Sequence, residues 1–181
     1  MNTSINDSTT NSITVPISGF RLPRFTEITN VGLYLEQTVK FVNSYLAPLG
    51  GADITGSMIS NYVKQKLVPN PVKKQYYTEH IAVIMFIAIA KTVTSLDDIR
   101  LLLTLQNSAY PVDKAYDHFC DRLEDSLRRA FGAEQPGGSG LAPVRSDTEA
   151  LLQVMINAVV HKIYLDHCLT VFRAAGERAE A

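Results

Sequence analysis

The sequence lacks tryptophan, has only two cysteines and contains no apolar run longer than ten residues. Cys120 and Cys168 stand 48 residues apart, so they form neither a CxxC pair nor a disulfide framework. They are typical of buried thiols in a reducing compartment. The most apolar run, residues 81–90, is half the roughly 20 residues of a membrane helix, and it predicts a core helix instead. The first ten residues show no signal-peptide pattern, so the expected location is the cytoplasm.

The composition predicts a folded protein with one unevenly placed cluster of charge. Hydrophobic residues make up 46% of the 181-residue chain and charged residues 19%, which is too apolar for disorder. The net charge is −1, yet residues 55–93 hold five lysines and one glutamate, a net charge of +4. A basic segment in an acidic chain is typical of a nucleic-acid contact. The alternative interpretation is an ordinary solvated helix surface.

Three segments with different compositions divide the chain. Residues 1–14 are polar and predict a disordered tail. Residues 15–109 are predicted to hold an extended arm, through about residue 30, followed by a helical DNA-binding unit. Residues 110–175 predict a helical C-terminal part, with a glycine-rich flexible loop at 132–146.

Capping residues, prolines and apolar periodicity predict an all-α fold of about six helices. A short ribbon is the only extended structure expected, around residues 68–76. The last helix, about 26 residues from Asp147 to about Arg173, is apolar on most faces. Either the other helices or a second copy of the chain must cover it. The helices are expected to begin after Asn30, after Thr55, near Thr78, after Ser95, at Pro111 and after Ser146.

A polar face on the second helix carries the functional hypothesis. Its members are spaced at i, i+3, i+4 and i+7, opposite an apolar face that would anchor the helix. Small hydrogen-bonding side chains on a short, anchored helix are what base edges in a major groove require. The residues of this polar face are Ser57, Ser60, Asn61 and Lys64.

The bridge that follows the helix contains two prolines and several lysines. Lys66, Lys73 and Lys74 are expected to neutralise DNA phosphates together with Lys64, and Gln75 to reach the backbone beside them. Tyr76, like Tyr62 on the helix, is expected to pack the motif, with a hydroxyl that could still reach a phosphate.

The run ITGSMISNYVKQKLVPNP followed by KKQYYTEH and SLDDI resembles the DNA-binding half of MerR-type regulators. That resemblance implies a winged helix-turn-helix, with Lys66 standing where a glycine is usual. The run LPRF at residues 22–25, taken with the same segment, is similar to the bacterial family called domain of unknown function 1836. The likeness spans roughly residues 20–175 and implies a role like that of a transcription factor.

Other groups of reactive residues give weaker support for a functional site. Asp117 and Asp121 lie one helical turn apart and could share a metal with His118, although such a stripe is more often a solvated face. No phosphate-binding glycine loop and no catalytic triad can be placed, so neither an enzyme nor a cofactor is expected.

The sequence therefore predicts a DNA-binding transcriptional regulator acting as a homodimer, with no membrane contact. The alternative is a non-enzymatic module for protein interaction or small-ligand sensing that no longer binds DNA. The identity of any small-molecule effector stays open.

Overall fold

The computed structural model describes residue 17, residues 19–132 and residues 146–179. The described part holds six α-helices, which confirms the predicted all-α class. The predicted tail at 1–14 and all but the ends of the predicted loop at 132–146 lie outside the described residues. The helices are α1 (Leu35–Leu46), α2 (Gly56–Lys64), α3 (Thr78–Ala90), α4 (Leu96–Ala109), α5 (Val112–Ala130) and α6 (Asp147–Ala179).

Side-chain caps start three of the helices where the sequence placed them. The Thr55 hydroxyl accepts a hydrogen bond from a backbone N–H of α2, 3.3 Å away. Ser95 and Ser146 accept in the same way at the starts of α4 and α6, each over 3.2 Å. Each cap satisfies one of the N–H groups that the first turn of a helix leaves unpaired. The ends of α2 and α3, at Lys64 and Ala90, come two or three residues earlier than predicted.

The predicted start of the first helix is wrong, because extended backbone occupies its first residues. Two strands, β1 (Leu33–Tyr34) and β2 (Gln75–Tyr76), pair in an antiparallel two-stranded sheet. Helix α1 consequently begins at Leu35 and not after Asn30. Gly32 permits this approach, since a Cβ there would lie 2.8 Å from the Cβ of Gln75. Extended structure therefore exists within the predicted ribbon, but it pairs with a segment that the sequence predicts to be helical.

Helix α3 is the centre of the fold. Ten of its 13 residues are buried, as its nearly uniform apolar composition predicted. Phe86 of α3 meets Phe119 of α5 edge to face, with ring centroids 5.0 Å apart. Helix α5 also packs along α6, so one buried cluster joins the central helix to the last one.

Helix α6 is longer than predicted, 33 residues instead of about 26, and only one of its faces is covered. Its buried face includes Ile156 and Val159. The other helices therefore do not wrap it on most sides. The large apolar side chains exposed along it are Leu151, Val154, Tyr164, Leu165, Leu169 and Phe172.

None of the helices in the described ranges is both long enough and apolar enough to cross a membrane.

The arm before α1 lies on the core, as expected. Leu22 is fully buried, and the Leu22 N–H donates to the Glu124 carboxylate of α5 over 2.9 Å. The Arg24 guanidinium forms two bonds to the same carboxylate, 2.6 and 2.8 Å long, and a third to Asp121. These hydrogen bonds to Glu124 raise the pKa of Arg24 above its ordinary value. We call this contact of Leu22 and Arg24 with Asp121 and Glu124 the arm latch.

Candidate nucleic-acid interface

The polar face predicted on α2 is exposed. Ser57, Ser60, Asn61 and Lys64 are all exposed to solvent, and none of the described residues covers them. Ile59 and Tyr62 on the opposite side are 0% and 2% exposed, so they anchor the helix to the core. Burial raises the pKa of the Tyr62 phenol, which keeps it neutral.

Local hydrogen bonds hold the short polar side chains of α2. The Ser60 hydroxyl donates to the Gly56 carbonyl over 2.8 Å, and its oxygen keeps acceptor capacity. The Ser57 hydroxyl shares a 2.9 Å bond with the Thr55 hydroxyl. The Asn61 side-chain oxygen accepts from the Gln65 amide at 3.3 Å, which leaves the Asn61 NH₂ directed away from that bond. These bonds orient groups that donate and accept outward.

The end of α2 is closed by a left-handed residue that is not glycine. Lys66 has φ of +58°. Its N–H donates to the Val63 carbonyl, and the Leu67 N–H donates to the Tyr62 carbonyl, each over 2.9 Å. This pair of bonds is the Schellman motif, which normally takes glycine at the left-handed position. The structure thus places an exposed lysine where the chemistry of the backbone favours a residue without a side chain.

The tip of the bridge is a two-residue turn made of lysines. Val72 and Gln75 exchange two backbone hydrogen bonds, 2.9 and 3.0 Å long, around Lys73 and Lys74. Both lysines are left-handed, with φ of +50° and +65°. Positive φ at both central residues defines the type I′ turn, whose preferred sequence is Asn-Gly. Among the described residues, the only non-glycine positions with positive φ are these two and Lys66.

The remaining two predicted contacts lie at the base of the turn. Gln75 is half-buried, and its side-chain oxygen accepts a hydrogen bond from the Tyr77 hydroxyl over 3.2 Å. Tyr76 is 5% exposed, and burial raises its pKa. Its ring meets the His80 ring edge to face at 5.9 Å. Tyr76 thus packs the motif.

His80 fixes the bridge to the start of α3. Its Nδ1 accepts the Tyr77 N–H over 3.1 Å, so the proton of the neutral ring lies on Nε2. Nε2 then donates to the Asn70 carbonyl, 3.2 Å away and between the two bridge prolines. One side chain therefore caps α3 and positions the bridge.

Arg100 is a further site residue, and it carried no signal in the sequence. It lies on α4 and donates to the Gln65 carbonyl at the end of α2 over 2.8 Å. A cation at the C-terminus of a helix stabilises the helix dipole. Because 35 residues separate Arg100 from Gln65, only the fold brings them together.

Asp117 and Asp121, the acidic residues of the possible metal site, accept hydrogen bonds from the arm. Asp117 accepts the Phe25 N–H over 2.7 Å, and Asp121 belongs to the arm latch. Within the described ranges, no three His, Cys, Asp or Glu side chains are arranged to hold a metal ion. Burial raises the pKa of the Cys120 thiol to about 12, so this cysteine is an inert core residue.

Comparison with known proteins identifies one match. The family model described as "Domain of unknown function (DUF1836)" matches residues 23–119, which include the arm latch residue Arg24, all of α2 and the bridge. No curated protein and no solved structure matches the chain.

Proposed function

This protein belongs to the family described as Domain of unknown function (DUF1836), and from that premise we propose that it is a DNA-binding transcriptional regulator. In this proposal it acts in the cytoplasm as a homodimer, and its α2–bridge–α3 unit is a MerR-like winged helix-turn-helix. The role is one of binding and involves no catalytic step.

The exposed polar face of α2 is the observation that carries the proposal. A helix of nine residues is marginal alone, and here buried Ile59 and Tyr62 hold it in place. The opposite face offers Ser57, Ser60 and Asn61 to solvent. In the major groove, Asn pairs with two adenine atoms and Ser bonds to several bases. We therefore infer that Ser60 and Asn61 read base edges.

The lysines around this face support a second kind of contact. Lys64 and Lys66 lie at the end of α2, and Lys73 and Lys74 form the tip of the bridge. All four are exposed. Phosphate contacts from lysine position a protein on the duplex without reading its sequence. The bridge takes the place of a wing, and Gln75 at its base would add a backbone contact.

The uncovered face of α6 supports the homodimer. Leu151, Val154, Ala158, Leu165 and Phe172 are three, four, seven and seven residues apart, a heptad spacing that His161 interrupts between Ala158 and Leu165. These side chains are exposed in the single chain. A heptad seam of this kind is buried when two helices pack together, and a second copy supplies an identical seam.

DNA binding is tested with the full chain and duplexes from the promoter region of its own gene. The logarithm of the binding constant should fall linearly with the logarithm of salt concentration, with a slope of about −0.9 per phosphate contact. Asn61→Ala should weaken the preferred duplex by about 1–3 kcal/mol and leave the salt slope unchanged. Lys114→Ala, which removes an exposed lysine of α5, is the matched control.

Absence of binding to any duplex at about 50 mM salt would refute the DNA proposal, because phosphate contacts are strongest there. That result would favour the alternative, a helical module for protein interaction or ligand sensing.

The dimer is tested by light scattering after size-exclusion chromatography. Leu165→Lys places a charge in the seam and should convert a dimer to a monomer. Thr170→Lys, an exposed position on another side of the same helix, should leave the mass unchanged. A monomeric unmodified chain at micromolar concentration would refute this part.

A further inference from the structure

A cleft lies beside the end of α2. It has a volume of about 370 Å³ and is bounded by the end of α2, the bridge, helices α3 and α4 and the first residue of α5. Small-molecule sites typically occupy about 300–1,000 Å³ and are mostly apolar. The apolar residues that line the cleft are Val63, Leu67, Val68, Pro69, Val83, Leu103 and Val112.

The charged groups of the cleft favour an anion. Arg100 and Lys66 contribute two cations to its lining, and Glu79 contributes one carboxylate. One terminal nitrogen of Arg100 donates to the Gln65 carbonyl, and the other lies 3.8 Å from Asp97, whose side chain is 94% exposed. So long and exposed an ion pair is weak. A guanidinium has five N–H donors in a fork that fits a carboxylate, so Arg100 retains donors for a ligand.

We propose that this cleft binds a small organic anion, a monocarboxylate on an apolar body. The apolar lining contacts the body, and the Arg100 guanidinium donates hydrogen bonds to the carboxylate, with Lys66 as a second cation. Glu79 repels a second negative charge and so restricts the ligand to one carboxylate. A zwitterionic amino acid, whose ammonium would pair with Glu79, is the competing chemistry that the experiment separates.

The cleft is linked to the candidate interface through two residues. Arg100 donates to the carbonyl of Gln65, the residue that follows α2, and Lys66 is the left-handed residue that ends the helix. A bound carboxylate draws Lys66 inward, away from DNA phosphate. The ligand therefore weakens DNA binding. It also reduces the magnitude of the salt slope by about 0.9, the value for one lost phosphate contact. This last step rests on the proposed function, whereas ligand binding itself does not.

The binding experiment uses the full chain without DNA and three matched probes. These are phenylacetate, its neutral amide phenylacetamide, and phenylalanine. At ten times its dissociation constant, phenylacetate should raise the melting temperature by about 3–6 °C, as mass action predicts for a chain of this size. Phenylacetamide should give no shift. No shift with phenylacetate at about 10 mM, a concentration that detects even millimolar affinity, would overturn the proposal. An equal shift with the amide, or a larger one with phenylalanine, would also overturn it.

Two variants keep the test independent of folding. Arg100→Gln removes the charge but keeps an amide that can donate to the Gln65 carbonyl, and it should weaken phenylacetate at least tenfold. Thr104→Trp fills the cleft from an exposed position of α4 and should abolish binding. Lys114→Gln, on the exposed surface of α5, is the control and should bind as the unmodified chain does. Unchanged affinity in Arg100→Gln would overturn the assignment.

The DNA measurement is then repeated with and without phenylacetate. A shift in melting temperature without any DNA binding would refute the regulator and leave the ligand site standing. DNA binding without a melting shift would refute the ligand site alone.

Discussion

Replacing the two lysines at the tip of the bridge should make the protein more stable and bind DNA more weakly. Lys73 and Lys74 hold the left-handed backbone of a type I′ turn, for which Asn-Gly is the preferred pair. A left-handed conformation costs about 1–2 kcal/mol in a residue with a side chain. Glycine removes that cost, although its freedom in the unfolded chain takes back about 0.5–1 kcal/mol. Asparagine relieves part of the cost at the other position.

Lys73→Asn combined with Lys74→Gly should therefore raise the free energy of unfolding by about 1–2 kcal/mol. For a chain of this size, that corresponds to a rise in melting temperature of about 2–8 °C. Urea unfolding should give a higher midpoint with an unchanged slope, because the surface exposed on unfolding stays the same. The same variant loses two cations, so its DNA salt slope should fall in magnitude by about 1.8.

Lys114→Asn is the single-charge control on α5: its free energy of unfolding should stay within about 0.5 kcal/mol of the unmodified chain, and its salt slope should not change. A less stable Asn-Gly variant would refute the turn assignment. An unchanged salt slope in a stabilised variant would refute the phosphate contacts and leave the turn intact.

Three further predictions address the surroundings of the interface. Arg24→Ala strands the buried Glu124 carboxylate and should cost about 3 kcal/mol by urea unfolding, whereas Arg24→Met with Glu124→Gln, which keeps an acceptor for the Leu22 N–H, should cost much less; equal losses would contradict the arm latch. His80→Ala removes two hydrogen bonds at the base of the bridge and should cost about 1–3 kcal/mol, with His80→Gln between it and the unmodified chain; an unchanged midpoint in the alanine variant would rule out the anchoring role. With iodoacetamide at pH 8, the folded protein should react at Cys168 and not at Cys120, whose pKa of about 12 keeps it a thiol, and urea should expose both; mass spectrometry showing Cys120 modified in the folded chain would contradict its burial.

The helices could be predicted because their signals are local. Thr55, Ser95 and Ser146 are caps, and each effect extends over only three residues of chain. The start of α1 could not be found in the same way. Leu33 fits a helical stripe by spacing, and only the pairing of Leu33 and Tyr34 with Tyr76 and Gln75 makes this segment extended.

The site likewise contains features that local sequence signals predict and features that depend on the fold. The exposed polar face of α2 follows from periodicity alone, since its apolar side has to be buried. The lysine turn could not be predicted, because Lys-Lys is a poor sequence for a type I′ turn. The role of Arg100 could not be predicted for a different reason. Its partner is the backbone carbonyl of Gln65. Every residue has a backbone carbonyl, so the sequence does not indicate which one Arg100 contacts.

The arm latch sets an order on how the chain is completed during synthesis. Arg24 and Glu124 are 100 residues apart, so the arm emerges from the ribosome well before its carboxylate partner exists. At about 5–20 residues per second, the wait is about 5–20 s. Helix α2 and the bridge are synthesised within that interval, while the arm that precedes them still lacks its docking partner. During synthesis, the arm can therefore dock on the core only after α5 has been translated.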